Sequence, residues 1–379
     1  MNDRSYDVIV VGVGAMGAAA CHHLARRGRR VLGLEHFDIP NSSGSSHGVN
    51  RIIRLAYCEH PSYVPLVRRA YELWRELEQQ SGEHLLHLTG SVDASAADDD
   101  IITGAVRACE LHGIEHSIYT GVELSLRFPG FQLPPDHLAL YQPEGGFLAS
   151  ELCIETHVRC ARAAGADIHT NERVLGWDVT AGGVRVRTDS ADYVADRIIV
   201  SAGAWLGELI PQLAPLARPE RQVLGWFEPV VPEHFADGKF PVFNLSVEEG
   251  RYYGLPVFGI PGFKVGRYHH LGEQIETPDE WDREPNADDE AVLRTFVERY
   301  LPEAAGPLLT AKTCMFTNTP DEHFIIDTLP GEERVIVASP CSGHGFKFAS
   351  VVGEILADLA IDGATHHDIG LFRLGRFLA

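Results

Sequence analysis

The sequence predicts an α/β protein with two domains, one organised around a parallel sheet and the other around an antiparallel sheet. Between Tyr6 and Glu35 the chain runs through a strand, a glycine-rich turn, a helix and a second strand, an order typical of parallel α/β sheets. Residues 222–268 contain strand-like segments rich in aromatic and β-branched residues, which indicates antiparallel strands. At 379 residues the chain exceeds the length at which one core keeps growing, so two domains are expected.

The glycine-rich turn predicts a dinucleotide site. Gly12, Gly14 and Gly17 follow the apolar run 8–11 in a G-x-G-x-x-G spacing. Glycines at this spacing allow a tight turn, close approach of a pyrophosphate and close packing of the next helix on the strand. That helix, predicted at 15–27, directs its N-terminal amides toward the phosphates.

The acidic residue after the second strand refines this prediction. Glu35 ends the apolar segment 31–34, where a carboxylate accepts hydrogen bonds from both hydroxyls of an adenosine ribose. Its negative charge argues against a 2'-phosphate. A glycine-rich turn that only helps packing is the alternative, but strand, glycines, helix, strand and acid within thirty residues favour dinucleotide binding.

Composition excludes several classes of partner. The 32 basic and 53 acidic side chains give a net charge of -21, which repels nucleic acid and anionic membranes alike. No segment has the roughly 20 apolar residues of a membrane span, and residues 1–6 are too polar and short for a signal peptide, so a cytoplasmic protein is expected. The seven scattered cysteines have neither a disulfide framework nor zinc-site spacing, and no metal site is expected.

The segment 36–57 is predicted to be a loop beside the nucleotide. It is too polar and too rich in glycine to belong to the core. Its candidate side chains are Ser45, Ser46, His47, Arg51 and Arg54. Hydroxyls, backbone amides and guanidinium groups suit a loop laid across the pyrophosphate and ring system of a cofactor. A solvated surface loop is the alternative.

The remaining elements are predicted from periodicity and turn residues. Helices are predicted at 63–80, 150–164, 288–300 and 346–361. Strands are predicted at 174–180, 183–188, 196–200, 222–229, 252–258, 262–268 and 335–338. Residues 87–143 show short segments broken by Asp-rich and Pro-rich turns, which indicates a change of domain. Two turns, SAGAW at 201–205 and CSGHG at 341–345, suit close approach to a cofactor or an anion.

Seven motifs together resemble the monomeric sarcosine oxidase and N-methyltryptophan oxidase family of flavoenzymes. They are GVGAMG, GSSHGVNRIIR, RQVLGWF, YYGLP, GFKVG, TCMFTNTPDEHFIIDTLP and SGHGFKF, in this order along nearly the whole chain. The resemblance implies a glutathione-reductase-like or D-amino-acid-oxidase-like topology. It implies an FAD-binding Rossmann-like domain at 1–86, 145–216 and 312–379, and an α+β substrate domain with an antiparallel sheet at 87–144 and 217–311.

The resemblance also implies a reaction. Family members oxidise the C–N bond of sarcosine or another N-methyl amino acid to an imine, which water hydrolyses to formaldehyde and the primary amino acid. O2 is reduced to hydrogen peroxide. The implied partners are therefore a small secondary amino acid and O2, and the implied oligomeric state is a monomer.

Two residues would act with FAD and O2 according to the resemblance. Cys314 matches the cysteine that forms a covalent 8α-S-cysteinyl link to FAD, and because this chemistry needs a thiolate we expect positive charge near it. Lys264 matches the lysine that helps O2 accept an electron by stabilising the negative charge that forms. A buried free thiol and an ordinary strand lysine are the alternatives.

The resemblance assigns further residues to the pocket and the cofactor. Arg54 and Lys347 would hold the substrate carboxylate, and Tyr253 would line the pocket. Phe316 and Gly343 complete the predicted substrate contacts. Arg51 and His47 would lie close to the flavin ring, although an ordinary polar loop histidine is a nearly equal alternative for His47. The predicted cofactor contacts are Gly12, Gly14, Gly17, Glu35, Ser45, Arg51, Val174, Cys314, Gly343, Gly345 and Lys347.

Three departures from the family pattern affect the prediction of the substrate side chain. Phe316 stands where the family has a second pocket tyrosine, so a hydroxyl is lost. One extra residue near RYHH, 267–270, leaves open whether His269 lines the pocket. Ser46 replaces the first residue of a histidine pair found in many members.

Several other functions remain open from the sequence. They are oxidation of a cyclic secondary amino acid such as proline or pipecolate, oxidation of a bulky primary amine, and a flavin dehydrogenase that does not use O2. A nicotinamide dehydrogenase would explain residues 6–35 but not Cys314 or SGHGFKF. A non-catalytic flavin-binding protein would leave Lys264, Arg54 and Lys347 unexplained.

Overall fold

The computed structural model describes residues 5–377. Its α-helices are Ala15–Arg26 (α1), Tyr63–Ser81 (α2), Asp100–His112 (α3), Gly121–Arg127 (α4), Ser150–Ala163 (α5), Leu206–Leu209 (α6), Ala287–Tyr300 (α7) and Ala349–Asp362 (α8). Among the described residues, none of these helices combines the length and apolar character that a membrane crossing requires.

The strands are Ser5–Val11 (β1), Val31–Leu34 (β2), Asn50–Ile53 (β3), Leu86–Leu88 (β4), Ser91–Ala96 (β5), Ser117–Thr120 (β6), His137–Gln142 (β7), Gly146–Ala149 (β8), Asp167–His169 (β9), Val174–Thr180 (β10), Gly183–Thr188 (β11), Asp192–Val200 (β12), Arg218–Phe227 (β13), Val242–Val247 (β14), Gly250–Leu255 (β15), Phe263–Arg267 (β16), Leu308–Asn318 (β17), Ile325–Leu329 (β18) and Glu332–Ser339 (β19). The predicted hairpin, now β10 and β11, is confirmed.

The first sheet carries the glycine-rich turn. Its main path is β10-β11-β12-β1-β2-β9, and β19 and β18 extend it from β12. β1 pairs in parallel with both β2 and β12. Alternate residues of β1 enter two cores, because Val8 and Val10 pack with α1 and α8 whereas Ile9 and Val11 pack on the opposite face. The predicted α/β class is confirmed, and the sheet is mixed, because β10, β11 and β18 pair in antiparallel fashion.

The second sheet is predominantly antiparallel, in the order β17-β13-β16-β15-β14-β5-β7-β6. The strands predicted near 222–229, 252–258 and 262–268 are β13, β15 and β16. β16 lies between the other two and pairs with both in antiparallel fashion. α7 packs against this sheet, with Phe296 stacked on Tyr252 at 4.0 Å between ring centroids. The domain boundary predicted at residue 312 falls inside β17, which pairs along the length of β13.

Two elements differ from the sequence prediction. β3 lies within the segment predicted as a loop, because it pairs with β8 in a small third sheet. α3 lies in the region predicted to contain only short segments. The Asp-rich stretch before it does not form an isolated turn, since the Asp99 side chain accepts a hydrogen bond from the Ile101 amide at 2.8 Å and so caps the helix.

Candidate active site

One cavity brings together residues from both large sheets and from the turns at their edges. Most of the predicted site residues line it, and His47 and Gly17 do not. The predicted residues that line the cavity are Gly12, Gly14, Glu35, Ser45, Arg51, Arg54, Val174, Tyr253, Lys264, Cys314, Phe316, Gly343, Gly345 and Lys347. Residues separated by more than 300 positions in the chain therefore share one site.

At the nucleotide end, the glycines keep the turn and the helix in close contact. Gly12 has a φ of +85°, and a Cβ there would lie 2.7 Å from the carbonyl oxygen of Ser201. A Cβ on Gly17 would lie 1.9 Å from the carbonyl oxygen of Gly12. Gly17 thus allows α1 to pack on the turn, which explains why it does not line the cavity.

Glu35 is held at the end of β2 by backbone donors. Its carboxylate accepts hydrogen bonds from the amides of Val13 at 2.8 Å and Phe37 at 3.1 Å. Burial raises the pKa of this carboxyl group, and the amide donors partly offset that effect. Because a carboxylate has about four lone-pair positions, acceptor capacity remains for two ligand hydroxyls.

The loop before β3 is anchored from both sides. The Glu151 carboxylate on α5 accepts hydrogen bonds from the amides of Gly48 at 2.8 Å and Val49 at 3.1 Å. The Arg51 guanidinium donates to the carbonyl oxygens of Ser45 at 3.0 Å and of Asn50 at 2.9 Å, and to that of His47. Arg51 thus shapes the loop and contributes positive charge to the cavity.

His47 belongs to this loop, and its side chain is buried. Neither ring nitrogen has a hydrogen-bond partner among residues 5–377. Burial, followed by repulsion from Arg51, lowers the pKa of His47 to about 4, so the ring is neutral at physiological pH. Its side chain is absent from the cavity lining, unlike that of Arg51.

Lys264 on β16 is fixed by three oxygen atoms. Its Nζ donates to the carbonyl oxygens of Gly48 at 2.8 Å and Asn50 at 2.7 Å, and to Asn50 Oδ1 at 3.0 Å. Burial and then Arg51 lower the pKa of Lys264 well below its usual value. The three acceptors nevertheless match the three N–H donors that only an ammonium group has, so this arrangement retains the proton.

Cys314 lies on β17 opposite Gln222 of β13. Its side chain packs with Leu224 and Trp226 and is 3% exposed. Burial raises the pKa of the thiol, while Arg51 and Lys264 act in the opposite direction. The expectation of positive charge near Cys314 is therefore confirmed.

Two buried cations lie against the ring of Tyr57. Arg54 Cζ is 4.8 Å and Lys347 Nζ is 5.3 Å from the ring centroid. Lys347 Nζ donates to the carbonyl oxygen of His344 at 2.8 Å, which leaves two N–H donors for a ligand. Burial, followed by repulsion from Arg54, lowers the pKa of Lys347 to about 7.

Sequence reasoning missed the carboxylates around Arg54. Glu59 accepts from Arg54 Nη2 with both oxygens at 2.9 Å, and Asp93 lies 3.5 Å from Nε. Burial alone would raise the pKa of Glu59, but Arg54 and Arg251 hold it well below its usual value. The spacing of five residues between Arg54 and Glu59 was an available signal, whereas Asp93 arrives from β5 through tertiary packing.

Three neighbouring aromatic rings, those of Tyr253, Tyr268 and Phe316, also line the cavity. Tyr268 lies 5.3 Å from Tyr253 and 5.9 Å from Phe316 between ring centroids. Phe316 packs against Gly343, where a Cβ would lie 2.6 Å from the ring. Sequence reasoning missed Tyr268, although side chains two residues apart share one face of a strand and Tyr268 lies four residues after Lys264.

The structure places His269 outside the cavity lining. Its ring forms ion pairs with Glu220 at 3.1 Å and Glu322 at 3.2 Å. The hydrogen bonds to these two carboxylates raise the pKa of His269 to about 10. His269, whose position the extra residue near RYHH left open, therefore does not line the cavity, whereas the preceding residue Tyr268 does.

Comparison with known proteins agrees with this geometry. Residues 7–359 match the family described as "FAD dependent oxidoreductase". The chain belongs to this family of FAD-dependent oxidoreductases. The glycine-rich turn, Glu35 and the second glycine turn at Gly343 and Gly345 are therefore parts of an FAD-dependent enzyme, and the predicted fold class is confirmed.

Relatives of this oxidoreductase extend over nearly its whole length. It is 43% identical to the monomeric sarcosine oxidase of Bacillus sp. (strain NS-129), over 98% of this chain and 97% of the relative. It is 37% identical to the N-methyl-L-tryptophan oxidase of Salmonella enteritidis PT4 (strain P125109), over 98% and 99% of the two chains. These similarities confirm the resemblance to that family.

Solved structures show the same fold. NikD, described as an unusual amino acid oxidase essential for nikkomycin biosynthesis, superimposes with a TM-score of 0.86 at 25% identity, over 97% of each chain. L-proline dehydrogenase from P. horikoshii superimposes with a TM-score of 0.85 at 20% identity, over 99% of this chain and 98% of the other. The second similarity concerns the fold alone.

Proposed function

We propose that this FAD-dependent oxidoreductase oxidises the C–N bond of sarcosine or another N-methyl α-amino acid to an imine. Water then hydrolyses the imine to formaldehyde and the primary amino acid, and O2 is reduced to hydrogen peroxide. FAD supplies the two-electron chemistry when it is bound. The observation that carries this proposal is the buried Arg54 and Lys347 pair, which offers an anion site in the same cavity as Cys314, Lys264 and the nucleotide turn.

The carboxylate of the substrate binds to Lys347 and Arg54. Lys347 has two N–H donors that the protein does not use. Arg54 is already paired with Glu59, so the substrate carboxylate must share or replace that partner. Because Lys347 has unused donors and Arg54 does not, a substrate with a single carboxylate binds best with that group next to Lys347.

The cations also act on the substrate amine. Oxidation requires a neutral nitrogen, because a protonated one has no lone pair to lose. Positive charges nearby lower the pKa of an amine, and Arg54, Lys347 and Arg51 all line the cavity. The site therefore favours loss of the amine proton before the reaction.

Cys314 is proposed to hold FAD through the covalent 8α-S-cysteinyl link. Support comes from its place in the cavity and from the positive charge of Arg51 and Lys264, which favours the thiolate that this bond requires. Acid precipitation of the wild-type protein should leave yellow colour in the pellet, whereas Cys314→Ser should release FAD into the supernatant. Release of FAD from the wild-type protein would contradict this role.

Lys264 is proposed to promote the reaction with O2. A positive charge held by three oxygen atoms stabilises negative charge that forms on O2 without the cost of reorganisation. We further propose Arg51 and the remaining predicted cofactor contacts, Ser45 and Val174 among them, as parts of the FAD site, and His47 as a residue that acts near the flavin ring from outside the cavity lining.

A monomeric protein in the cytoplasm is also part of the proposal. Relatives carry the description "monomeric", and none of the seven cysteines, all of which lie within residues 5–377, forms a disulfide, as in reducing compartments. Size-exclusion chromatography with light scattering should give a mass near 41.7 kDa. A mass twice as large would contradict the monomer.

The decisive assay measures peroxide release from purified enzyme with sarcosine, N-methyl amino acids of increasing size, L-proline and L-pipecolate. Peroxide and formaldehyde in equal amounts with an N-methyl substrate would support the proposal. Turnover of L-proline or L-pipecolate alone, or electron transfer to a dye without peroxide, would contradict it.

A further inference from the structure

Tyr268 continues the cavity-facing side of the second sheet beyond the end of β16. Its amide donates to the carbonyl oxygen of Arg251 at 2.9 Å, so pairing with β15 extends one residue further. Lys264, Gly266 and Tyr268 share one face of the strand, since side chains alternate. The missing side chain at Gly266 makes room for Tyr253, because a Cβ there would lie 2.5 Å from the tyrosine ring.

Arg251 holds the ring of Tyr268 from behind. Its guanidinium carbon lies 4.2 Å from the ring centroid, within the range of a cation–π contact. Arg251 Nη2 also donates to Glu59 Oε1 at 2.9 Å, and Glu59 is the carboxylate that pairs with Arg54. The position of the Tyr268 ring is therefore coupled to the cation that holds the substrate carboxylate.

The direction available to a substrate side chain follows from this arrangement. When a carboxylate binds at Arg54 and Lys347, the adjacent α-carbon lies next to it, and its substituents extend toward the rest of the lining. Tyr253, Tyr268 and Phe316 all line the cavity and their rings are neighbours, and Tyr268 is linked to Arg54 through Arg251 and Glu59. The Tyr268 hydroxyl has no hydrogen-bond partner within the described range 5–377, so its position depends on packing and on Arg251.

We propose that Tyr268 determines specificity by limiting the size of the substrate side chain, and that Arg251 is the positioning residue that keeps its ring in place. This inference rests on the proposed function, because it assumes an amino acid bound through its carboxylate. It predicts a preference for sarcosine over N-methyl amino acids with branched or aromatic side chains.

The test compares kcat/KM for sarcosine, N-methyl-L-alanine, N-methyl-L-leucine and N-methyl-L-phenylalanine. In Tyr268→Ala the preference for sarcosine over N-methyl-L-leucine should fall at least about tenfold, the scale that one or two methylenes carry in an apolar pocket. Tyr268→Phe should keep the wild-type preference because the ring remains. Arg251→Met should reduce the preference mainly through KM, and Arg251→Lys should restore part of it.

Arg267→Met serves as the matched control. Arg267 makes a comparable contact with Tyr252, at 5.9 Å from its ring centroid, but neither residue lines the cavity. The preference of Arg267→Met for sarcosine over N-methyl-L-leucine should therefore equal that of the wild type. Retained FAD and an unchanged circular dichroism spectrum establish that each variant is folded. If Tyr268→Ala fails to fold, Arg251→Met tests the proposal independently, because the Arg251 side chain is 24% exposed.

A second measurement separates this inference from the proposed function. Acetate, 3-methylbutyrate and 3-phenylpropionate are titrated into each holoenzyme, and their dissociation constants are read from the flavin absorption. If no N-methyl amino acid is oxidised but Tyr268→Ala binds the larger acids relatively more tightly, the reaction is wrong and the specificity role stands. If turnover occurs and neither series changes in Tyr268→Ala, the specificity role is wrong.

Discussion

Lys264 and Lys347 occupy two regions of the same cavity, and their surroundings differ in one decisive respect. Both are buried, and burial is the largest cause of the lowered pKa of each. Lys264 donates to three oxygen atoms of the loop at Gly48 and Asn50, whereas Lys347 donates to the carbonyl oxygen of His344. The protein fully satisfies the first cation and leaves two donors on the second.

This difference indicates two kinds of function. A cation whose donors are all used acts through its charge, so the region around Lys264 suits stabilisation of a transient negative charge. A cation with unused donors acts by binding, so the region around Lys347 suits a ligand carboxylate. Changes at one region should therefore affect O2 reactivity, and changes at the other should affect substrate affinity.

The largest expected effect follows from removal of the first cation. Lys264→Met should slow the reaction of the reduced enzyme with O2 by about 10² to 10³, the usual scale for loss of one preorganised charge or donor. Stopped-flow mixing of the reduced enzyme with O2 measures this rate. Anaerobic reduction by sarcosine should change far less, because Lys347 and Arg54 remain. Lys312→Met is the matched control, since Lys312 is exposed on β17, which β13 separates from β16 in the same sheet. An unchanged rate of reaction with O2 in Lys264→Met would contradict the role in O2 reactivity that distinguishes the region around Lys264 from that around Lys347.

A smaller effect is expected from the second cation. Lys347→Met should weaken binding of substrate and of acetate by about 10- to 100-fold, as expected for loss of a hydrogen bond to a charged partner. The O2 rate of the reduced enzyme should stay within a few-fold of the wild type. Anaerobic titration with acetate and stopped-flow oxidation measure the two quantities. Equal loss in both would contradict the assignment of separate roles.

The pH dependence sharpens the same comparison. The pKa of Lys347 is lowered to about 7, and a bound carboxylate raises it by stabilising the charged form. Binding is therefore tightest below pH 7 and weakens as the pH rises through 7, by up to about tenfold per pH unit. Acetate titrations between pH 6 and 9 should show this slope in the wild type and not in Lys347→Met. If the dissociation constant of acetate for the wild-type enzyme does not change with pH, Lys347 does not lose its proton in this pH range.

The smallest effect concerns a buried pair that does not line the cavity, His22 on α1 and His157 on α5, with 3.2 Å between their Nδ1 atoms. Burial lowers the pKa of His22 to about 4 and that of His157 well below its usual value. Between pH 6.5 and 4 the unfolded chain binds protons that the folded one does not, so stability falls as pH falls, by up to about 1.4 kcal/mol per unit for each histidine.

Urea denaturation at pH 7 and pH 5 measures this loss of stability. The change in free energy of unfolding between the two pH values should be smaller in His157→Gln than in the wild type. His366→Gln is the control, because His366 is exposed. An identical change in His157→Gln and wild type would show that the buried pair does not contribute.

The sequence predicted the fold where the signal was local. The strand, glycine turn and helix at β1 and α1, and the hairpin of β10 and β11, follow from glycine geometry and apolar periodicity within short segments. The prediction failed where a partner far along the chain decided the outcome. β3 became a strand because β8 pairs with it, and α3 was missed because Asp99 was interpreted as a turn residue instead of a helix cap.

By itself the sequence determined the residue types of the site and the nucleotide-binding turn. Gly12 and Glu35 could be identified from the spacing of their own strand, turn and helix, because these elements follow one another within thirty residues. Only the tertiary structure decided that Tyr268 and not His269 faces the cavity. His269 leaves the strand with a φ of +59° and turns toward Glu220, while Tyr268 keeps its pairing with β15. Which face a side chain takes at a strand end depends on such distant contacts, and the local sequence does not contain them.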